Sequence, residues 1–237
     1  MKTTLLLISL YAALIDIAFA ADSSLKSKVS DAAKQLGDKP NYSWTSTSKE
    51  ADGSTGRLGA MDGKTEKGGL TYLSFTVSDV PVEVYIKGEK GAAKALEGWQ
   101  SFEDISQTGG SAAAIVKYLR SSKAPVAESS ALAEKADELK EADGVLSGGL
   151  KEEAVKELLM RGARRREGQD PPKITGPKGS VKFWIKEGVL AKYEVNVQGK
   201  VVAGDRETDV NRTTTVEIKE PGTTKLELPA DAKEKLT

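Results

Sequence analysis

The sequence predicts an α+β fold: an antiparallel sheet, curled by its own twist, with helices laid over its concave face. Three observations predict it. Several short runs alternate apolar and polar residues, as in Gly69 to Ser78, Ser180 to Lys186 and Thr213 to Lys219. Such runs give a sheet one greasy face and one wet face. Polar turns only a few residues long separate neighbouring runs, which suits a meander. Finally, Ser23 to Leu36, Ser111 to Ser122 and Lys151 to Arg165 space their apolar residues for one face of a helix. An apolar sheet face must be covered, and these helices are the natural cover.

The chain opens Met1-Lys2 and continues with a mostly apolar stretch to Phe19 that ends Ala18-Phe19-Ala20. One positive charge, a short apolar core and small residues at −3 and −1 read as a secretory signal peptide over 1–20, cut after Ala20. A membrane anchor is the alternative, but the stretch is short for a span of about 20 residues. Asp16 also interrupts it, at a cost in hydrocarbon. Residues 21–237 are then one domain, long enough to bury a core without disulfides. The expected location is the periplasm or the exterior, with no transmembrane anchor after cleavage.

In the expected domain, Ser23 to Leu36 is a helix, with Leu25, Val29, Ala32, Ala33 and Leu36 forming its stripe and Gly37 stopping it. Asn41 to Ser48 is a strand with Tyr42 and Trp44 on one side. Arg57 to Met61 is a short strand, and Asp62-Gly63 is a turn signal. Leu73, Phe75 and Val77 alternate in the next strand. Asp79-Val80-Pro81 breaks it, and Val82, Val84 and Ile86 alternate in the one after. Gly88 to Gly91 turns the chain again. A helical section follows: Ser111 to Ser122, then Ser129 to Glu141 with Leu132, Ala136 and Leu139, then Lys151 to Arg165. Asp143-Gly144 is a turn, and Glu167 to Gly179, with its three prolines, is a loop. Ser180 to Lys186 and Val189 to Val197 form a hairpin across Glu187-Gly188. Thr213 to Lys219 and Lys225 to Leu228 are the last strands, and Pro229 starts a terminal helix.

Composition narrows function. The 35 basic and 35 acidic residues cancel, so no net field draws the chain to nucleic acid. With neither Cys nor His there is no thiol nucleophile, no Ser-His-Asp triad and no imidazole or thiolate metal ligand. Carboxylate chemistry remains open in principle. Glu152-Glu153, Asp137-Glu138 and the run Asp205 to Asp209 offer paired acids, but nothing in their spacing shows convergence, and a solvated surface is the simpler reading. Arg164-Arg165-Arg166 after a helix reads as a solvated helix end. Trp44, Trp99 and Trp184 read as packing residues, Trp184 sharing a strand face with Lys182 and Lys186 and so lying on the outer surface or under a helix. Asn41-Tyr42-Ser43 and Asn211-Arg212-Thr213 match the glycosylation sequon.

The stretch Gly179 to Tyr193, GSVKFWIKEGVLAKY, resembles a hairpin of the periplasmic lipoprotein-carrier superfamily, the LolA/LppX-like proteins. The tail Thr215 to Ala230, TVEIKEPGTTKLELPA, is similar to that group's last two strands. Asn41-Tyr-Ser-Trp44 and Ala142-Asp-Gly144 are similar to its first strand and middle segment. The resemblance implies a curved antiparallel half-barrel roofed by helices, binding lipid or acyl chains with no catalysis and no cofactor. This chain departs from many relatives in having no anchoring Cys.

The apolar cavity so implied is lined by Trp44, Leu73, Phe75, Val84 and Ile86 from the first strands and by Ile115, Leu119 and Leu158 from the helices. Phe183, Tyr193 and Val195 of the C-terminal hairpin complete it. Two expectations stand side by side: an exported binding protein holding a lipid or other apolar ligand, or an envelope interaction protein with a filled core that meets a protein partner through its surface.

Overall fold

The computed structural model describes residues 22–55, 59–95, 98–161 and 170–236. The expected signal segment, the start of the Arg57 to Met61 strand and the arginine run 164–166 lie outside them.

The first helix, α1, spans 22–37. It buries Val29, Ala32, Ala33 and Leu36, the stripe its spacing predicts. Its first turn is tied down by Asp22, whose Oδ1 accepts the Leu139 amide at 2.7 Å. Burial pushes the Asp22 carboxyl up, but the Leu139 amide and the Lys26 ammonium together hold it below its ordinary value.

From α1 the chain runs outward through an antiparallel meander: β1 Asn41–Glu50, β2 Met61–Glu66, β3 Leu70–Val77, β4 Val80–Lys87, β5 Lys90–Ala95 and β6 Gly98–Ser101. Helices α2 Phe102–Thr108, α3 Gly110–Ser121 and α4 Pro125–Lys135 then carry it to the far edge. A second meander returns through β7 Ala136–Ala142, β8 Val145–Leu150, β9 Lys173–Lys186, β10 Val189–Ala203 and β11 Arg206–Lys219, with α5 Glu152–Met160 between β8 and β9. The result is one 11-stranded sheet in the order β6-β5-β4-β3-β2-β1-β11-β10-β9-β8-β7. Every pairing is antiparallel, and the edges β6 and β7 do not meet. The sheet is therefore an open, curved half-barrel, because strand twist accumulates across it and one continuous apolar cluster fills its inner side from Phe75 on β3 to Leu139 on β7.

Several expected boundaries move, each for a physical reason. Ser129 to Glu141 is not one helix: α4 ends at Lys135 and Ala136 begins an edge strand in which only Ala136 and Leu139 are buried. Pro125 opens α4 at its first position, where a missing N–H costs nothing. Asp62-Gly63 is no turn but the middle of β2, where Gly63 lies opposite Trp44. Lys90 and Gly91 already belong to β5. The predicted helix through Arg165 is seen over Glu152–Met160, and its expected last turn lies outside the described residues. Lys173 to Gly179 is strand, not loop, because Pro177 falls at a register shift opposite Gly199, where a ladder N–H is not needed. Finally, β11 begins at Arg206, and Lys225 to Leu228 is not part of the sheet.

One element lies on the other side of the sheet. Tyr85 faces away from Val84, and its hydroxyl donates to the Glu227 carbonyl. The C-terminal segment crosses this outer face, and α6 Ala230–Lys235 packs on β5 and β6. There Tyr72, Tyr85 and Trp99 stand in a row, with ring centroids 5.1 and 5.4 Å apart.

Candidate functional site

The residues expected to line a cavity belong to, or pack against, one apolar cluster. Trp44, Leu73, Phe75, Val84, Leu119, Phe183, Tyr193 and Val195 are buried in one cluster, and Ile86, Ile115 and Leu158 pack against it, each only partly buried. Cross-strand register explains the clustering. Leu146, Phe183, Tyr193 and Val216 are successive neighbours across β8, β9, β10 and β11, so they form one row on the inner face. Gly63 leaves room for the Trp44 ring, whose Cε2 lies 2.1 Å from where a Cβ on Gly63 would sit. The Trp44 indole donates toward the Thr65 hydroxyl at 3.4 Å.

Sequence reasoning missed part of this interior. Leu190 is fully buried, although strict alternation from Tyr193 turns it outward. A register shift between Leu190 and Lys192 resets the phase. Phe102 was equally illegible. Its ring rests over Gly91, whose missing side chain makes the space, and a glycine under an aromatic is visible only in three dimensions.

A polar relay leads from this interior out to the surface. The Tyr193 hydroxyl, on the floor of the sheet, donates to Glu128 Oε2 on α4 at 2.7 Å. Arg161, just past α5, donates to Glu128 Oε1 at 3.3 Å and to Glu157 at 3.1 Å. Lys135 closes the chain on Glu157. The relay joins β10, α4 and the end of α5, beside a space of about 10 Å³ between α4 and α5.

Burial, followed by the charge and hydrogen bond of Glu128, raises the Tyr193 phenol well above its ordinary value. Burial raises Tyr42 and Tyr85 as well, and burial with the Glu83 carboxylate pushes Tyr72 up to about 12. These phenols keep their protons in the folded chain after unfolded tyrosines, near pH 10, have lost theirs. The tyrosine contribution to stability is therefore expected to be constant below pH 10 and to be lost as pH rises from 10 toward 12. Denaturant melts of wild type and Tyr193→Phe test this. The variant should decline less steeply above pH 10, and a pH-independent wild-type midpoint up to pH 11 would refute the assignment.

Among the described residues, a solvent-open groove of about 630 Å³ lies beside α1. One wall is the exposed stripe of α1 with Ser27, Lys28, Asp31 and Gln35. The other is made by the β7–β8 and β9–β10 turns at Gly144 and Gly188. Ala32, Leu146 and Ile185 form its floor.

The remaining expected features sit at the surface. Asp137, Glu138, Glu152, Glu153, Asp205, Glu207 and Asp209 are all exposed. Glu152 pairs with Lys156, and Glu207 with Lys200. Trp184 lies on the outer face with the Lys192 ammonium 4.9 Å from its ring centre. Among the described residues no acidic group of three or more gathers as a metal site. No helix among them is long and apolar enough to cross a membrane.

No family model matches the chain, and no curated protein does. Solved structures do. The chain is similar to LprF from Mycobacterium bovis at 11% identity and a TM-score of 0.48, covering 89% of this chain and 98% of that one. It is similar to the lipoprotein LppX of Mycobacterium tuberculosis at 11% identity and a TM-score of 0.46, covering 87% and 100%. A DUF1329 family protein from Desulfovibrio piger follows at 8% identity and a TM-score of 0.33, covering 83% and 91%. Likeness at this level carries no argument about ligand or activity.

Proposed function

We propose that this chain is an exported, non-catalytic binding protein that holds an apolar ligand of the lipid or acyl-chain class between its sheet and its helices. The supporting observation is the uneven hold of the helical cover. α1 and α5 set several residues each into the core. α3 commits only Val116 and Leu119, leaving Ile115 partly exposed and Tyr118 38% exposed. Elements with little buried apolar surface open at low free-energy cost, so α3 is the part of the roof that lifts to admit a chain against Leu73, Phe75 and Val84. The sequence resemblance to lipoprotein carriers favours a lipid by analogy alone.

A second reading has its own support. Val84, Phe183, Leu190 and Val181 are 0% exposed and belong to one continuous buried cluster that spans the sheet, as in a filled core. On that reading the chain acts in the cell envelope through its surface, on a protein partner.

Native mass spectrometry of protein purified from its own envelope separates the two. A discrete lipid mass that is lost on delipidation, with a lowered melting temperature, supports the carrier. Repeatedly empty protein with unchanged melting defeats it and leaves the surface reading. The same spectra show whether the mature chain begins after Ala20.

A further inference from the structure

We propose that the α1 groove is a head-group site for a single-chain amphiphile with a zwitterionic head. This rests on the apolar-ligand reading and adds where the ligand enters and what its polar end is. The groove is not separate from the interior. Leu146 and Ile185 on its floor lie on the same face of the sheet as Phe183, and Ala32 belongs to the core stripe of α1. Ala32 and Leu146 are buried and Ile185 partly so, and a chain entering from the groove parts them to reach the apolar cluster.

The rim is polar and carries both signs. Lys28 Nζ meets both Glu141 carboxylate oxygens, at 2.6 and 2.8 Å, across one end. Gln35 closes the other end, its Oε1 about 3.0 Å from where a Cβ on Gly188 would stand. The two clasps are two helical turns apart, roughly 10 Å at 1.5 Å per residue. Between them sits Asp31, exposed and without an ion pair among the described residues. Lys28 and Asp31, three apart on a helix, are neighbours on one face. A phosphate that displaces Glu141 from Lys28, with an ammonium on Asp31, matches that spacing. A purely anionic head meets Asp31 and Glu141, and a purely cationic one meets Lys28. The volume lies within the usual range for small-molecule sites.

Titration of the exported chain with dodecylphosphocholine below its micelle concentration, beside laurate and dodecyltrimethylammonium, tests the assignment. Phosphocholine is expected to bind about tenfold more tightly than either singly charged amphiphile, equivalent to ~1.4 kcal/mol. Ser27→Trp, at an exposed groove position, should weaken it at least as much without lowering the melting temperature. Asp31→Lys should move the preference to laurate. Equal affinity for all three heads, or full affinity in Ser27→Trp, overturns the head-group site while leaving interior binding intact. Failure of every amphiphile to bind overturns both.

Discussion

Phe183→Ala is expected to lower the unfolding free energy by about 3–5 kcal/mol, the usual cost of removing a buried ring whose neighbours cannot collapse into the gap. Phe183 is 0% exposed and sits mid-row between Leu146 and Tyr193. Strands on both sides fix the backbone, so the cavity persists. The adjacent Trp184 is the internal control. It faces outward and loses mainly its contact with Lys192, so Trp184→Ala should cost about 0.5–1 kcal/mol. Urea melts report both as midpoint shifts at constant slope. Equal losses at the two positions would mean that the alternation of β9 does not set its faces.

A second large effect is expected at Gly63. Its φ is not in the left-handed region, so its backbone alone tolerates other residues. The obstacle is the Trp44 ring, 2.1 Å from a new Cβ, where real Cβ contacts stay beyond 3.0 Å. Gly63→Val therefore expels the indole from the core or pushes β2 off β1, at a cost comparable to losing a large core side chain, about 3 kcal/mol or more. Because the clash belongs to one pair, Trp44→Leu should recover part of the loss. A double-mutant cycle should show favourable coupling on the order of 1–3 kcal/mol. Strictly additive losses would show that Gly63 serves some other purpose.

How much of this was legible follows from where residues sit. Leu73 and Phe75, or Val181 and Phe183, lie in sheet interiors with one face buried, so period-two alternation reports them directly. The α1 stripe was equally plain, because a helix lying on a core needs an apolar face. The edge strand β7, ADELKEA, reads as helix because it buries only Ala136 and Leu139 and carries charges that suit an unpaired edge. The outer reach of the β10–β11 hairpin, past Gln198 and before Asn211, runs Val201-Val202-Ala203 together and then turns polar, so no period-two alternation marks it as strand. The polar relay was beyond reach for another reason. Tyr193, Glu128 and Arg161 lie on three separate elements, and only the completed fold makes them neighbours. The groove is of the same kind, since two tight turns and a helix face meet there from distant parts of the chain.

The central place of the β1–β11 pairing has a consequence for assembly. Within each meander, strands adjacent in the sheet are adjacent in sequence, most of them closing over short loops, with β8 and β9 joined through α5. The seam between them joins Ser43 to Lys219 and Glu50 to Arg212, residues that lie far apart along the chain. Such a seam carries nearly the whole chain's closure entropy, and no local turn helps to form it. The two halves of the sheet should therefore acquire protection from hydrogen exchange first, and the amides bonded across the seam last. Pulse-labelling during refolding would show the reverse order if the halves are instead templated on a preformed centre.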